Sequence, residues 1–237
     1  TRQCQSDILS WKPDALILVD YPGFNLKIAS YIKQHARLPI FYFIAPKIWA
    51  WKEDRIRAIR RDVDKVLSIL PFEVEYFQNR HQYPVTYVGN PSADEVAAFK
   101  EANPHDFPQF VTDNHLSGKP IIALLAGSRR QEIDGNLQRM LAAAAPYTSD
   151  YELVIAAAPG FDDDFYLPLV GKTPVRILHD QTFRILQYST AAMVTSGTAT
   201  LETALFGVPQ VVCYFTFWRK IANWVKTHLL RVTYISL

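Results

Sequence analysis

Apolar residues in this chain come in short unbroken runs, each closed by a polar or turn-forming residue and followed by a stretch with helical spacing. Residues 15–19 (Ala-Leu-Ile-Leu-Val) end at Asp20. Such a run predicts a strand buried on both faces, as in a parallel sheet. Tyr21-Pro22-Gly23 turns the chain, and apolar positions at Leu26, Ile28, Ala29 and Ile32 predict a helix over 24–35. The alternation then repeats. A strand over 39–44 ends at Ala45-Pro46, and a helix over 48–61 carries a basic face of Arg55, Arg57, Arg60 and Arg61. A strand over 63–70 is closed by Pro71, a short helix covers 72–80, and a strand covers 85–88. Residues 8–11 look like the end of a helix already under way.

Residues 89–118 change character: they are polar and contain Pro91, Pro104 and Pro108. They predict a linker and crossing helix over 93–118, after a first domain over 1–92. A second series then begins, with a strand over 120–125, a helix over 131–147, strands over 153–157 and 175–178, and a helix over 183–188. Next come a strand over 191–194, a helix over 201–206 stopped by Gly207 and Pro209, and a strand over 210–214. The second domain is expected over 119–237. Strands alternating with helices through two halves predict an α/β protein of two doubly wound Rossmann-like domains facing a cleft. Ligands of such sheets sit at the carboxyl ends of the strands. There the sequence places Asp20, Ala45-Pro46, Gly127-Ser128-Arg129 and Ser196-Gly197-Thr198.

Composition narrows the picture. Of 237 residues, 49% are apolar and 20% charged, which suits a packed core and not a disordered chain. A net charge of +2 is too weak to argue for nucleic acid. Cys4 and Cys213 have no metal or redox spacing and read as free thiols in a reducing compartment. No stretch approaches the roughly 18 uninterrupted apolar residues of a membrane span. The chain starts without Met or a signal pattern and stops on a strand-like stretch over 233–237, so a fragment at both ends is expected.

Several stretches carry candidate chemistry. Residues 195–202 (Thr-Ser-Gly-Thr-Ala-Thr-Leu-Glu) join a strand to a helix through small residues. The first amides of a helix lack internal partners and the macrodipole is positive there, which suits an anion. Gly197 lets a phosphate approach the backbone, and the hydroxyls of Ser196, Thr198 and Thr200 can donate to its oxygens. Glu202, about one turn further on, suits a sugar diol better than a phosphate. The same residues also read as a capped helix with a polar first turn. In residues 126–130, Gly127 and Ser128 free backbone amides, and Arg129 or Arg130 can pair with phosphate in a bidentate way. Positive charge at a helix start is slightly unfavourable, so the arginine pair points to an anion. The spacing is not that of a P-loop and excludes that class of triphosphatase.

Asp20 closes a strand, where partial desolvation would suit it to general-base work. By itself it reads first as a cap of the following helix, with Asn25 as a competing cap. Trp49 and Trp51 beside Pro46 either shape a surface or pack a helix onto the sheet. Residues 215–231 combine Phe215, Phe217, Trp218 and Trp224 with five basic or potentially basic residues. This reads as an amphipathic helix lying in a lipid interface and favouring anionic head groups, or as a core helix crossing back over the first domain.

Together these stretches resemble the lipid-A-disaccharide synthase family. The matching residues are 19–25 (Val-Asp-Tyr-Pro-Gly-Phe-Asn), 45–51 (Ala-Pro-Lys-Ile-Trp-Ala-Trp), 70–73 (Leu-Pro-Phe-Glu), 88–91 (Val-Gly-Asn-Pro), 127–129, 196–202 and 234–237. They stand in family order and cover essentially the whole chain. The Trp-Ala-Trp run and the context of Asp20 are specific, whereas Ser-Gly-Thr is shared with many glycosyltransferases. The resemblance implies a glycosyltransferase-B fold. The family's N-terminal strand, its Gly-Glu-x-Ser-Gly-Asp segment and its C-terminal helices, which exchange between subunits, are not in this sequence.

The implied reaction moves a 2,3-diacylglucosamine from its UDP donor to the 6-hydroxyl of 2,3-diacylglucosamine 1-phosphate (lipid X). It proceeds with inversion and without metal or cofactor, giving lipid A disaccharide 1-phosphate and UDP. Asp20 would take the acceptor proton, while Arg129 and the amides around Ser196, Gly197 and Thr198 would stabilise the leaving pyrophosphate. Gly127 and Ser128 would cradle phosphate, and Glu202 would hold the ribose. The family often has a second acid where this chain has Gly23, which leaves Asp20 as the sole carboxylate of that motif. It often has His where this chain has Asn90. Implied partners are UDP-diacylglucosamine, lipid X, a homodimer mate and an anionic membrane surface touched by Phe215, Phe217, Trp218 and Trp224. The implied location is cytoplasmic, peripheral on the inner face of the inner membrane. A peptidoglycan glucosaminyltransferase or UDP-sugar 2-epimerase would need a richer glycine loop or a different acidic-histidine set. A UDP- or lipid-binding fragment without turnover is the non-enzymatic alternative.

Overall fold

The computed structural model describes residues 1–213. Phe215, Phe217, Trp218, Trp224 and the 234–237 motif lie outside the described residues. Two compact units divide the chain, one over Thr1–Pro91 and one that starts at Ser92.

The first unit runs α1 (Arg2–Trp11), β1 (Leu16–Val19), α2 (Pro22–His35), β2 (Ile40–Phe43), α3 (Ile56–Asp62), β3 (Lys65–Ser68), α4 (Pro71–Glu75) and β4 (Val85–Tyr87). Its sheet has the order β1-β2-β3-β4, and every pair is parallel. Ile28 and Ile32 of α2, Ile40 and Tyr42 of β2, Ile59 of α3 and Val66 of β3 form its core.

Two expectations need correction here. The apolar run of β1 is not buried on both faces: Leu18 is buried, but Ile17 is 63% and Val19 51% exposed. Alternate strand residues point to opposite faces, and only the face of Leu18 meets the packed cluster. The helix expected over 48–61 starts only at Ile56. Burial of Ile48 and the bond from Trp49 to Glu73 draw residues 45–51 into an irregular turn. Left-handed Lys52 (φ 52°) then leads through a 3₁₀ turn, Glu53–Arg55, into α3.

The second unit runs α5 (Pro91–Ala102), α6 (Phe107–Asp113), β5 (Ile121–Leu125), α7 (Arg130–Ala144), β6 (Glu152–Ala157), α8 (Asp163–Val170), β7 (Val175–His179), α9 (Thr182–Tyr188), β8 (Ser189–Thr195), α10 (Thr198–Leu205) and β9 (Gln210–Cys213). Residues 93–118 are therefore largely helical. Phe110 of α6 is fully buried beneath the second sheet, and the Lys100 ammonium donates to the Leu205 carbonyl at 2.9 Å. The helix α8 has no counterpart in the sequence reading, because Pro168 inside it masks the helical pattern.

The parallel strands lie in the order β7-β6-β5-β8-β9, so the chain winds outward from β5 and then crosses to the other side. Phe110, Ile185 and Leu186 cover one face, and Ile133, Leu137, Met140 and Tyr166 cover the other. This sheet is doubly wound, and its direction reverses between β5 and β8. In such sheets a crevice opens at the carboxyl ends of the strands flanking the reversal.

Candidate functional site

The crevice is built by two short turns. After β5 the chain passes through buried Ala126 to Gly127, whose φ of 125° strains any residue with a side chain. A Cβ at Gly127 would also fall 2.6 Å from the Glu132 Cβ, so glycine is required twice over. Ser128 follows, and its backbone N–H donates to Glu132 Oε2 at 3.1 Å. Arg129 opens α7; its side chain is 81% exposed and its Nη1 lies 3.3 Å from Glu132 Oε1.

After β8 the chain passes through Ser196 and an extended Gly197 into α10. A Cβ at Gly197 would meet nothing within 4 Å, so this glycine leaves open space beside the first amides of α10. Buried Asn136 ties the two turns together. Its Nδ2 donates to Thr195 Oγ1 at 3.0 Å and to the Ala126 carbonyl at 3.4 Å.

One cavity of about 500 Å³ unites Gly127, Ser128 and Arg129 with Ser196, Gly197, Thr198 and Glu202. The N-termini of α7 and α10 both open at it, so partial positive charge converges there with the Arg129 guanidinium. Glu202 is half-buried. Burial first, and the Glu95 carboxylate second, push its acid up from the usual range. A carboxylate so placed gains from donors such as a ribose diol. Thr200 corrects the sequence reading. It is buried and does not line the cavity, and its hydroxyl donates to the Gly197 carbonyl at 2.7 Å, which shapes the turn.

Glu132, Asn136, Thr182 and the Ala158-Pro159 turn belong to this site or support it, and the sequence reading missed them. Glu132 was legible as an acid at the third position of a helix. Asn136 looks like an ordinary polar residue on α7 until the partner strand is known. A neighbouring cavity of about 720 Å³ shares Ala157 to Pro159 but is lined by Asp162, Asp163, Asp164 and Asp180. Four carboxylates disfavour an anion there, whereas the smaller cavity combines Arg129 with two helix N-termini.

Asp20 belongs to the first unit, at the end of β1. It is exposed, so the desolvation expected at this strand end is not found. Nor does it cap α2: Tyr21 holds the N-cap position with no side-chain bond to the helix. Asn25 is no cap either, because its amide donates to the carbonyls of Val19 (2.8 Å) and Asp20 (2.6 Å). The Tyr42 hydroxyl donates to the same Asp20 carbonyl at 2.7 Å. Burial first, and the Asp20 charge second, hold the Tyr42 phenol well above its ordinary range. Asp20 and Tyr21 are both left-handed (φ 44° and 43°), as is the β-branched Ile44 (φ 62°) at the end of β2. Backbone strain therefore concentrates at the ends of two adjacent strands, as it does at functional sites.

The two tryptophans divide the roles weighed for them. Trp49 packs edge-on to Phe72 and donates its indole N–H to Glu73, which is 1% exposed, at 2.9 Å. Trp51 is 51% exposed beneath the Lys52 ammonium and the Arg55 guanidinium, 4.3 and 5.4 Å from its ring centre.

A family model described as lipid-A-disaccharide synthetase matches residues 1–237. A Geobacter sulfurreducens protein named lipid-A-disaccharide synthase is 32% identical over 97% of this chain and 59% of its own length. One from Legionella pneumophila strain Paris, named lipid-A-disaccharide synthase 1, is 37% identical over 86% of this chain and 53% of its own. The chain thus spans somewhat over half the length of these relatives. Among solved structures, a UDP-GlcNAc 2-epimerase from Neisseria meningitidis bound to UDP-GlcNAc has TM-score 0.64 and 13% identity, covering 95% of this chain and 66% of that one. An S. aureus protein solved with UDP has TM-score 0.63 and 14% identity, covering 95% and 65%. At this identity the likeness is one of fold, the glycosyltransferase-B type.

Proposed function

Because the chain belongs to the lipid-A-disaccharide synthetase family, we propose that it forms most of an inverting glycosyltransferase. The enzyme joins UDP-2,3-diacylglucosamine to lipid X to give lipid A disaccharide 1-phosphate and UDP. The observation that carries this reading is the convergence of 127–129 with 196–199 and Glu202 on one cavity at the strand reversal. The diphosphate of the donor sits against the amides of Gly197 and Thr198 at the start of α10 and those of the Gly127-Ser128 turn. Arg129 swings onto it as negative charge grows on the leaving UDP. Preorganised donors aimed at developing charge are worth roughly 10²–10³ in rate per donor. Glu202 accepts from the ribose hydroxyls. Asp20 removes the proton of the attacking 6-hydroxyl.

UDP is expected to raise the thermal midpoint of the parent protein. Ligand at 100 times its Kd adds about 2.7 kcal/mol. Glu202→Ala and Arg129→Ala should each lose most of the shift at the same UDP concentration. A parent protein that UDP does not stabilise, or variants that shift as much as the parent, would sink this placement of the nucleotide.

The acylated substrates give a reason for the aromatic-basic stretch over 215–231, which we read as the contact with an anionic membrane surface at the cytoplasmic face of the inner membrane. Replacing both Trp218 and Trp224 by Ser should lower co-sedimentation with phosphatidylglycerol-containing vesicles. Unchanged sedimentation would favour a helix packed in the core.

A further inference from the structure

Glu132 is an acid in the middle of a site that must accept a diphosphate. Its Oε2 accepts from the Ser128 N–H at 3.1 Å and its Oε1 lies 3.3 Å from Arg129 Nη1. Both donors line the cavity with it. The Cβ of Glu132 stands where a side chain on residue 127 would be, so glycine at 127 is what admits the carboxylate to the turn. An acid at this position also satisfies a helix start, which explains its presence in part. Capping does not require the arginine, however, and the carboxylate holds backbone donor and guanidinium together.

We propose that Glu132 is a specificity-determining residue of the nucleotide site, an internal anion that a diphosphate must displace from Arg129 and the Ser128 amide. This rests on the reading of the cavity as a UDP site. Weakly charged or neutral ligands cannot make the exchange, because they do not compensate the guanidinium that Glu132 gives up. A diphosphate can, since it offers a guanidinium two parallel acceptors. The exchange frees a carboxylate beside the leaving group, and its repulsion of the diphosphate favours release of UDP after transfer.

Glu132→Gln keeps a carbonyl acceptor for the Ser128 amide and removes the charge. An exposed ion pair of this kind is worth up to about 1 kcal/mol, so the variant should bind UDP and inorganic pyrophosphate about three- to fivefold more tightly. Its affinity for uridine should not change. Calorimetric titration of the full-length protein with all three ligands measures this, and Glu132→Ala, which loses the cap as well, serves as the second variant. Tighter pyrophosphate in either variant with unchanged uridine supports the exchange. Unchanged or weaker pyrophosphate in both variants, or a parallel change in uridine, overturns it and assigns Glu132 to capping alone. If pyrophosphate tightens while the parent fails to bind UDP, the exchange stands and the assignment of the cavity to a nucleotide falls.

Discussion

Asp20→Asn is expected to lower disaccharide formation by the full-length protein by about 10²–10⁴-fold, the usual worth of a positioned proton transfer. It should leave folding stability close to that of the parent. The second half of the expectation comes from the geometry. The Asp20 backbone, not its carboxylate, holds the strand end together: its N–H donates to the Phe43 carbonyl at 3.0 Å, and its carbonyl accepts from Asn25 and Tyr42. Among the described residues the carboxylate accepts no hydrogen bond. Asparagine tolerates the left-handed conformation as well as aspartate does, so φ of 44° is kept without added strain. Turnover and thermal melting of the same preparation check both halves. Full activity would remove Asp20 from the reaction. Lost activity with an equal loss of stability would make it a structural residue.

Glu73→Ala is expected to destabilise the first unit by about 1–3 kcal/mol, from the lost hydrogen bonds together with the cavity left by a buried side chain. The Glu73 carboxylate accepts from the Trp49 indole N–H and from the Ser68 hydroxyl, joining the turn after β2 to the junction of β3 and α4. Alanine leaves the indole N–H of half-buried Trp49 without its acceptor. Ser68 can still donate to the Leu70 carbonyl at 3.1 Å, so the loss falls mainly on Trp49. Glu73→Gln keeps a carbonyl for the indole and should cost under about 1 kcal/mol.

Burial, outweighing the bonds from Ser68 and Trp49 and the charge of Lys47, raises the acid of Glu73 above its usual value. The folded protein thus holds this proton more firmly than the unfolded chain. Its contribution is complete below the unfolded value of about 4.3 and is lost as pH rises through the higher folded value. Relative to Glu73→Gln, the parent should gain stability as pH falls from neutral toward the unfolded value of about 4.3. Denaturant melts of both proteins across that range test the sign, and parallel pH profiles would show that Glu73 is not the group responsible.

The sequence alone determined the alternation of strand and helix, because burial periodicity and turn residues are local properties. The strands ending at Val19, Phe43, Leu125 and Thr195 were legible as apolar runs stopped by polar or small residues. So were the stretches that carry the family likeness, since Gly127-Ser128-Arg129 and Ser196-Gly197-Thr198 are contiguous in the chain. Which face is covered is not written in an apolar run, and the bare side of Ile17 and Val19 follows from that. Nor does helical spacing reveal that Trp49 finds a buried carboxylate 24 residues away, which delays α3 to Ile56.

Tertiary structure alone decided that residues 127–129 share a cavity with 196–199 and Glu202, because strand order sets which ends are neighbours, and β5 pairs with β8 residues 68 or 69 positions further along the chain. It also separated residues of like chemistry. Thr198 lines the cavity, whereas Thr200, two positions on, turns inward and spends its hydroxyl on Gly197. A hydroxyl bonds to whatever stands within about 3 Å, and only the folded chain determines what that is.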